Sequence, residues 1–125
     1  MTPPRLERYA LVAAVLACAL LAWPLRGYVT DDTFIHLQYA KHLEAGDGFV
    51  FNPGERVYGS TSPLWVMLLA NAMAMGVDGL LASKWLGALA TLASLLLWAR
   101  LVRQTIGEAR IRAASLIVWA CHAWM

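Results

Sequence analysis

Two neighbouring carboxylates, Asp31 and Asp32, are the residues of this sequence whose types and placement best suit chemistry. They follow shortly after an uncharged apolar run, residues 9–25, in a chain in which only 14% of residues are charged. An acid pair at a helix start is commonly a cap, because a side-chain oxygen accepts a hydrogen bond from an amide of the first turn. At a bilayer edge, partial loss of hydration instead makes a carboxylate a better proton acceptor. The residues alone leave both capping and general-base catalysis open.

The acid pair opens a predicted helix over residues 31–45. Thr30 or Asp31 is expected to cap its first turn. Gly46 is expected to end it, since glycine adopts the left-handed conformation common past a helix end. Consecutive helical residues lie about 100° apart, which places Asp32 on one face with His36 and Tyr39.

The spacing of Asp32 and His36 would allow both to bind one metal ion, but no third candidate ligand follows at the spacing of a metal-binding motif. Taken alone, Lys41 and His42 are typical of a solvated polar surface. Arg56 and Lys41 carry the charge needed to bind a phosphate, although each taken alone is more typical of solvated surface charge. The sequence therefore predicts no metal site.

The next segment combines two short β-prone pieces, residues 49–51 and 56–58, with a turn between them. Pro53 and Gly54 at the centre of residues 52–55 are a strong turn signal. We predict a small hairpin or a tight loop here. Ser62 followed by Pro63 is typical of the start of another helix.

The composition excludes several classes of protein. Apolar residues make up 60% of the chain and the mean hydropathy is +0.56, against about 45–50% apolar in soluble domains. The net charge is only +2, with no basic stripe for a phosphate backbone, so nucleic-acid binding is not expected. Cys18 and Cys121 lie in apolar runs and are expected to pack as small hydrophobic residues.

These features predict a mainly α, polytopic membrane protein. Apolar runs predict membrane helices at about 9–25, 63–77, 80–101 and 113–125, with one extracytoplasmic loop, 26–62, that holds the helix and the turn. The first run is near the lower limit of about 17 residues for a span, and a cleaved signal peptide is the alternative. The second run is short and contains Asn71, so a re-entrant helix is the alternative there.

The positions of the arginines predict how the chain is oriented in the membrane, but two groups of arginines give conflicting predictions if every apolar run is a full span. Arg5 and Arg8 place the N-terminus in the cytoplasm and the loop outside. If residues 63–77 span the membrane fully, the arginine-rich link around Gly107 lies outside, against the positive-inside rule. If that run is re-entrant, the link lies inside and the rule is obeyed throughout.

The loop also resembles the first external loop of GT-C type glycosyltransferases, in particular bacterial enzymes similar to the mycobacterial terminal arabinofuranosyltransferases. The resemblance covers about a third of the chain and is carried by four stretches: DDTFI at 31–35, QYA at 38–40, GDGFVFNPGERV at 46–57 and GSTSPLW at 59–65. Two departures are Gln38, where such enzymes often have arginine, and Thr33-Phe34, where they have Ala-Tyr.

The resemblance implies an inverting glycosyltransferase of the bacterial inner membrane that works on its outer face without a cofactor. Its partners would be a polyprenyl-phosphate sugar donor and a glycan or lipid acceptor. Asp31 would be the general base, and Asp32 would position the acceptor or share the proton. The predicted substrate-binding residues share the loop with this pair and are Arg56, Asn52, Tyr39 and His36.

Members of that family have several hundred residues. Residues 1–125 are therefore expected to form the N-terminal part of a GT-C transmembrane domain and to be inactive alone. Two other classes stay open. One is a small non-enzymatic membrane accessory protein whose loop binds a partner. The other is the start of a transporter, although its carboxylates would then be expected within the membrane helices rather than in the loop.

Overall fold

The computed structural model describes residues 3–25, 27–55 and 57–122, and in this part of the chain helices account for most residues and no strand forms. The helices are α1 (Pro3–Leu25), α2 (Asp31–Ala45), α3 (Pro63–Ala74), α4 (Gly79–Thr105) and α5 (Ala109–His122). The predicted mainly α class is confirmed. The chain divides into two compact units, the first made of residues 1–28 and 88–125 and the second of residues 29–87.

In the first unit, α1 and α5 pack closely against each other, and side chains of α4 beyond residue 88 join their core. Their buried core consists largely of alanines, with Leu95 of α4 and Leu116 of α5 as its larger members. Ala14 of α1 and Ala120 of α5 are completely buried. Small residues at these positions let helix backbones approach closely, which is how helices commonly pack in membranes.

One end of the first unit is held by a buried carboxylate. Glu7, 8% exposed, accepts hydrogen bonds from Nε of Arg103 at 3.1 Å and from Nε of Arg112 at 2.7 Å, and also pairs with Nη2 of Arg112. Nη1 of Arg112 donates to the carbonyls of Ile106 at 2.6 Å and Gly107 at 2.7 Å. The start of α1 therefore lies at the same end of this unit as the α4–α5 link.

Two helices are long and apolar enough to cross a membrane: residues Arg5–Pro24 within α1, and Gly79–Thr105, which is α4. Both reach a mean hydropathy of 1.7, yet only 17% and 11% of their most apolar windows are buried. The core helix of a water-soluble protein would bury most of such a window. α1 also supplies Glu7 and part of the alanine core to its unit.

In the second unit, α2 and α3 pack against each other and against the first residues of α4. Tyr39, Val66 and Leu69 are the largest buried apolar side chains there. α3 ends at Ala74 rather than at the predicted residue 77, because Gly76 takes a left-handed conformation with φ 82° and the amide of Val77 turns back to the carbonyl of Ala72. Its 12 residues extend only about 18 Å, too short for a bilayer core of about 30 Å.

One local expectation for the loop was wrong, and one open alternative is now decided. Thr30 is the N-cap of α2, but neither it nor Asp31 makes a side-chain cap: the Thr30 hydroxyl pairs with the hydroxyl of Thr33 at 3.0 Å. Of the two alternatives for residues 49–58, the described residues form a tight loop and not a hairpin. The carbonyls of Phe51 and Val57 accept hydrogen bonds from side chains of α2.

Candidate functional site

The predicted catalytic pair forms the first turn of α2, as the sequence indicated. Asp31 and Asp32 are both exposed, and neither makes a side-chain hydrogen bond or ion pair with any residue that the structure describes. Both carboxylates lie at the positive end of the helix dipole. They are therefore open to a substrate, because their oxygens are not occupied by structural contacts in the described part of the chain.

Tyr39 has a structural position that fixes the loop against the helix. It is 1% exposed, and its ring packs on Phe49 with centroids 4.9 Å apart. Its hydroxyl donates to the carbonyl of Val57 at 2.8 Å and accepts the amide of Gly59 at 2.8 Å. The hydroxyl thus donates one hydrogen bond and accepts one within the fold, so this predicted substrate contact positions the loop.

We expect Tyr39→Phe to loosen residues 57–59 without unfolding the protein. The substitution leaves the Val57 carbonyl and the Gly59 amide without their partner, at a cost of about 1–3 kcal/mol in local stability. Amide hydrogen exchange at Gly59 should accelerate by about tenfold or more, since about 1.4 kcal/mol corresponds to tenfold. Tyr58→Phe is the matched control, because Tyr58 is 69% exposed and stacks on Phe49 through its ring alone. Equal exchange in both variants would contradict this role for Tyr39.

A second set of contacts joins α2 to the loop and was not anticipated from the sequence. Nδ1 of His42 lies 2.9 Å from Oδ2 of Asp47, and Nε2 of His42 lies 3.0 Å from Nε2 of Gln38. Nε2 of Gln38 also donates to the carbonyl of Phe51 at 3.3 Å. In the tautomer with its proton on Nδ1, His42 donates to Asp47 and accepts from Gln38, so every group has a partner.

The only advance signal for these contacts was spacing. Gln38 and His42 are four residues apart on a helix, where side chains are neighbours, and Asp47 follows directly after the helix ends at Gly46. The residue that departs from the family pattern, Gln38, thus holds the loop through its amide.

The predicted turn forms at residues 52–55. The amide of Glu55 donates to the carbonyl of Asn52 at 3.1 Å, and Gly54 has φ 86°. Pro53 and Gly54 therefore occupy the central positions of a type II turn, where the second must tolerate a positive φ. Nδ2 of Asn52 donates to Oε2 of Glu55 at 2.9 Å, which holds this predicted substrate contact on the exposed turn.

The remaining predicted site residues are less constrained. His36 is half-buried, one helical turn beyond Asp32. Arg56 lies outside the described residues. Within the described ranges, no side-chain hydrogen bond or ion pair joins the acid pair to the turn at residues 52–55, and no group of three or more His, Cys, Asp or Glu side chains is arranged to hold a metal ion.

Comparison with known proteins confirms the resemblance found in the motifs. The chain is 42% identical over 66 residues to the terminal β-(1→2)-arabinofuranosyltransferase of Mycobacterium tuberculosis, a match that covers 50% of this chain and 10% of that enzyme. It is 41% identical over 63 residues to the enzyme of the same name from Corynebacterium glutamicum, covering 46% of this chain and 9% of the enzyme. The matched region thus spans about a tenth of the length of these curated relatives. No family model and no solved structure matches the chain.

Proposed function

We propose that this chain carries the general-base segment of a membrane glycosyltransferase that transfers an arabinofuranosyl group from a polyprenyl-phosphate donor to a cell-envelope glycan. The observation that carries the proposal is the acid pair at the start of α2. It is exposed, lies a few residues after a helix long enough to span a membrane, and belongs to a chain similar to two arabinofuranosyltransferases.

In the proposed reaction, the carboxylate of Asp31 accepts the proton of an acceptor hydroxyl. The hydroxyl oxygen attacks the anomeric carbon from the face opposite the lipid phosphate. The bond from that carbon to the phosphate oxygen breaks, and its electron pair leaves with the polyprenyl phosphate, so the anomeric configuration inverts. Asp32 orients the acceptor or shares the proton.

Placement supports this role on physical grounds. A polyprenyl-phosphate sugar presents its reactive bond at the membrane surface, so the base must be held there as well. The acid pair follows α1 by a short connection, and its helix is fastened to the loop through Tyr39, Gln38 and His42. Holding a reactant and a catalytic group in the right geometry supplies a large part of the rate in such transfers.

The experiment that tests the proposal is a transfer assay on the complete gene product in lipid nanodiscs. It is supplied with polyprenyl-phosphate arabinofuranose and an arabinofuranose oligosaccharide. The expected result is one added arabinofuranose per acceptor end, with an anomeric configuration opposite to that of the donor when read by NMR. Retained configuration, or no transfer by a folded protein, would overturn the proposal.

We further propose that the arginine-rich end of the first unit faces the cytoplasm and the α2 loop faces outward. Because Glu7 binds Arg103 and Arg112, the start of α1 and the α4–α5 link share one end of that unit. That end carries most of the arginines of the chain, as the positive-inside rule requires for a cytoplasmic end. This arrangement needs α3 not to cross the bilayer, which agrees with its length of 12 residues.

Cysteine labelling in intact cells is expected to place Glu44 and Gly107 on opposite sides of the membrane. Both positions are exposed, and a side chain at Gly107 would meet nothing within 4 Å. In a background with Cys18 and Cys121 changed to alanine, an impermeant maleimide should label Glu44→Cys directly and Gly107→Cys only after lysis. Labelling of both positions before lysis would mean that α3 forms a full span, and would contradict this orientation.

A further inference from the structure

The second unit contains an open cleft with a volume of about 500 Å³ between α2, the loop at Phe51 and the junction of α3 with α4. This volume lies within the range of about 300–1,000 Å³ typical of small-ligand sites. Two of its lining rings, Phe34 and Phe51, are 54% and 38% exposed. Lys41 and Asp78 line it too, and supply one cation and one carboxylate.

The charges of the described lining favour a neutral polyhydroxyl ligand over an anion. The carboxylate of Asp78 is next to the start of α4 and caps it, with Oδ1 accepting the amide of Leu81 at 2.9 Å. The negative charge of Asp78 repels a phosphate, and it occupies the start of α4, which would otherwise attract an anion. Gln38, which also lines the cleft, already uses its amide nitrogen on Phe51 and His42.

Sugar rings match the exposed aromatic rings of the lining, whose other apolar members are Ile35, Leu37, Met73 and Leu80. Their C–H faces are apolar and slightly positive, and pack on aromatic faces, which carry partial negative charge. Their hydroxyls donate to a carboxylate and accept from an ammonium group, as Asp78 and Lys41 offer. Small-ligand sites commonly combine apolar and aromatic side chains with a few polar groups, and this cleft has that composition.

The cleft also lies on the side of α2 that carries the first aspartate. Phe34 and Gln38 follow Asp31 by three and seven residues, so they share its helix face, whereas Asp32 points about 100° away. We propose that this cleft binds a sugar ring of the acceptor glycan, held by Phe34, Phe51, Lys41 and Asp78 beside Asp31; the acceptor role rests on the transferase function proposed above.

The test compares two engineered cysteines on the same helix of the complete gene product, with Cys18 and Cys121 changed to alanine. Lys41→Cys lies in the cleft, and Glu44→Cys, also exposed, lies outside its lining. The probe is an arabinofuranose trisaccharide, added at a concentration well above its Kd. We expect it to slow maleimide labelling of Lys41→Cys by about tenfold, because only unoccupied protein reacts, and to leave Glu44→Cys unchanged.

Four outcomes would overturn the sugar site: an unchanged labelling rate at Lys41→Cys, equal slowing at both positions, protection by a short isoprenyl phosphate but not by the trisaccharide, or a Lys41→Cys that is unreactive without sugar because another segment covers it. A second measurement on Phe34→Ala should show a raised KM for the acceptor with an unchanged KM for the donor. A protein that shows the protection but transfers no arabinose would support the sugar site and contradict the transferase function, so the two failures are distinguishable.

Discussion

Asp31→Asn in the complete gene product is expected to reduce arabinofuranose transfer by about 10²–10⁴-fold in kcat, the usual contribution of a positioned general base. Asparagine has the shape of the aspartate side chain, but its amide cannot take the acceptor proton. Because the Asp31 carboxylate is exposed and has no partner in the described part of the chain, expression and membrane insertion should stay at wild-type levels. Donor binding should change little, since the loss is specific to the transition state.

Two control variants show whether the loss of activity is specific to Asp31. Asp32→Asn removes the same charge one residue later, on a different side of α2, and is expected to cost clearly less activity if Asp31 is the base. Glu44→Gln removes an exposed carboxylate at the other end of the helix and should leave transfer unchanged. If the Asp31→Asn variant transfers arabinofuranose near the wild-type rate, or if Asp32→Asn reduces kcat more than Asp31→Asn does, Asp31 is not the general base.

The features that the sequence predicted well are those set by neighbouring residues. α2 runs from Asp31 to Ala45 and ends at a left-handed Gly46, as predicted, although no side-chain cap forms at its start. The turn at Pro53 and Gly54 forms because proline presets φ at one central position and glycine tolerates the positive φ at the next. Long apolar runs likewise gave α1 and α4, because helix length and hydropathy are local properties.

The features that the sequence did not predict depend on contacts between residues distant along the chain. Tyr39 bonds to Val57 and Gly59 across 18 and 20 residues. These long-range contacts fasten the segment to α2, and its described residues form a loop rather than a hairpin. In the sequence, His42 is typical of a polar surface. In the fold its Nδ1 lies 2.9 Å from Oδ2 of Asp47. The proposed cytoplasmic side of the α4–α5 link likewise rests on the contact between Glu7 and Arg112, 105 residues apart.

Removing the charge of Glu7 is expected to have the largest effect on stability of any single substitution in the first unit. The Glu7 carboxylate and the Arg112 side chain are only 10% and 14% exposed, so Glu7→Gln leaves a buried guanidinium without its counter-charge. Breaking a buried pair in this way costs about 3–5 kcal/mol. The thermal unfolding midpoint in detergent should fall well below that of the wild type, and the protein should become sensitive to proteolysis at the α4–α5 link.

Matched substitutions separate this buried pair from ordinary surface charge. Glu108→Gln removes an exposed carboxylate near the same link and should leave the unfolding midpoint unchanged. Arg103→Gln should lower the unfolding midpoint much less than Arg112→Gln. The Arg103 side chain is 54% exposed, and exposed ion pairs contribute only about 0–1 kcal/mol. The double variant Glu7→Gln/Arg112→Gln should recover part of the loss, since no buried charge is then left unpaired and coupled residues are not additive. Additive losses in that double variant, or a Glu7→Gln as stable as Glu108→Gln, would show that the pair does not hold α1 to the link.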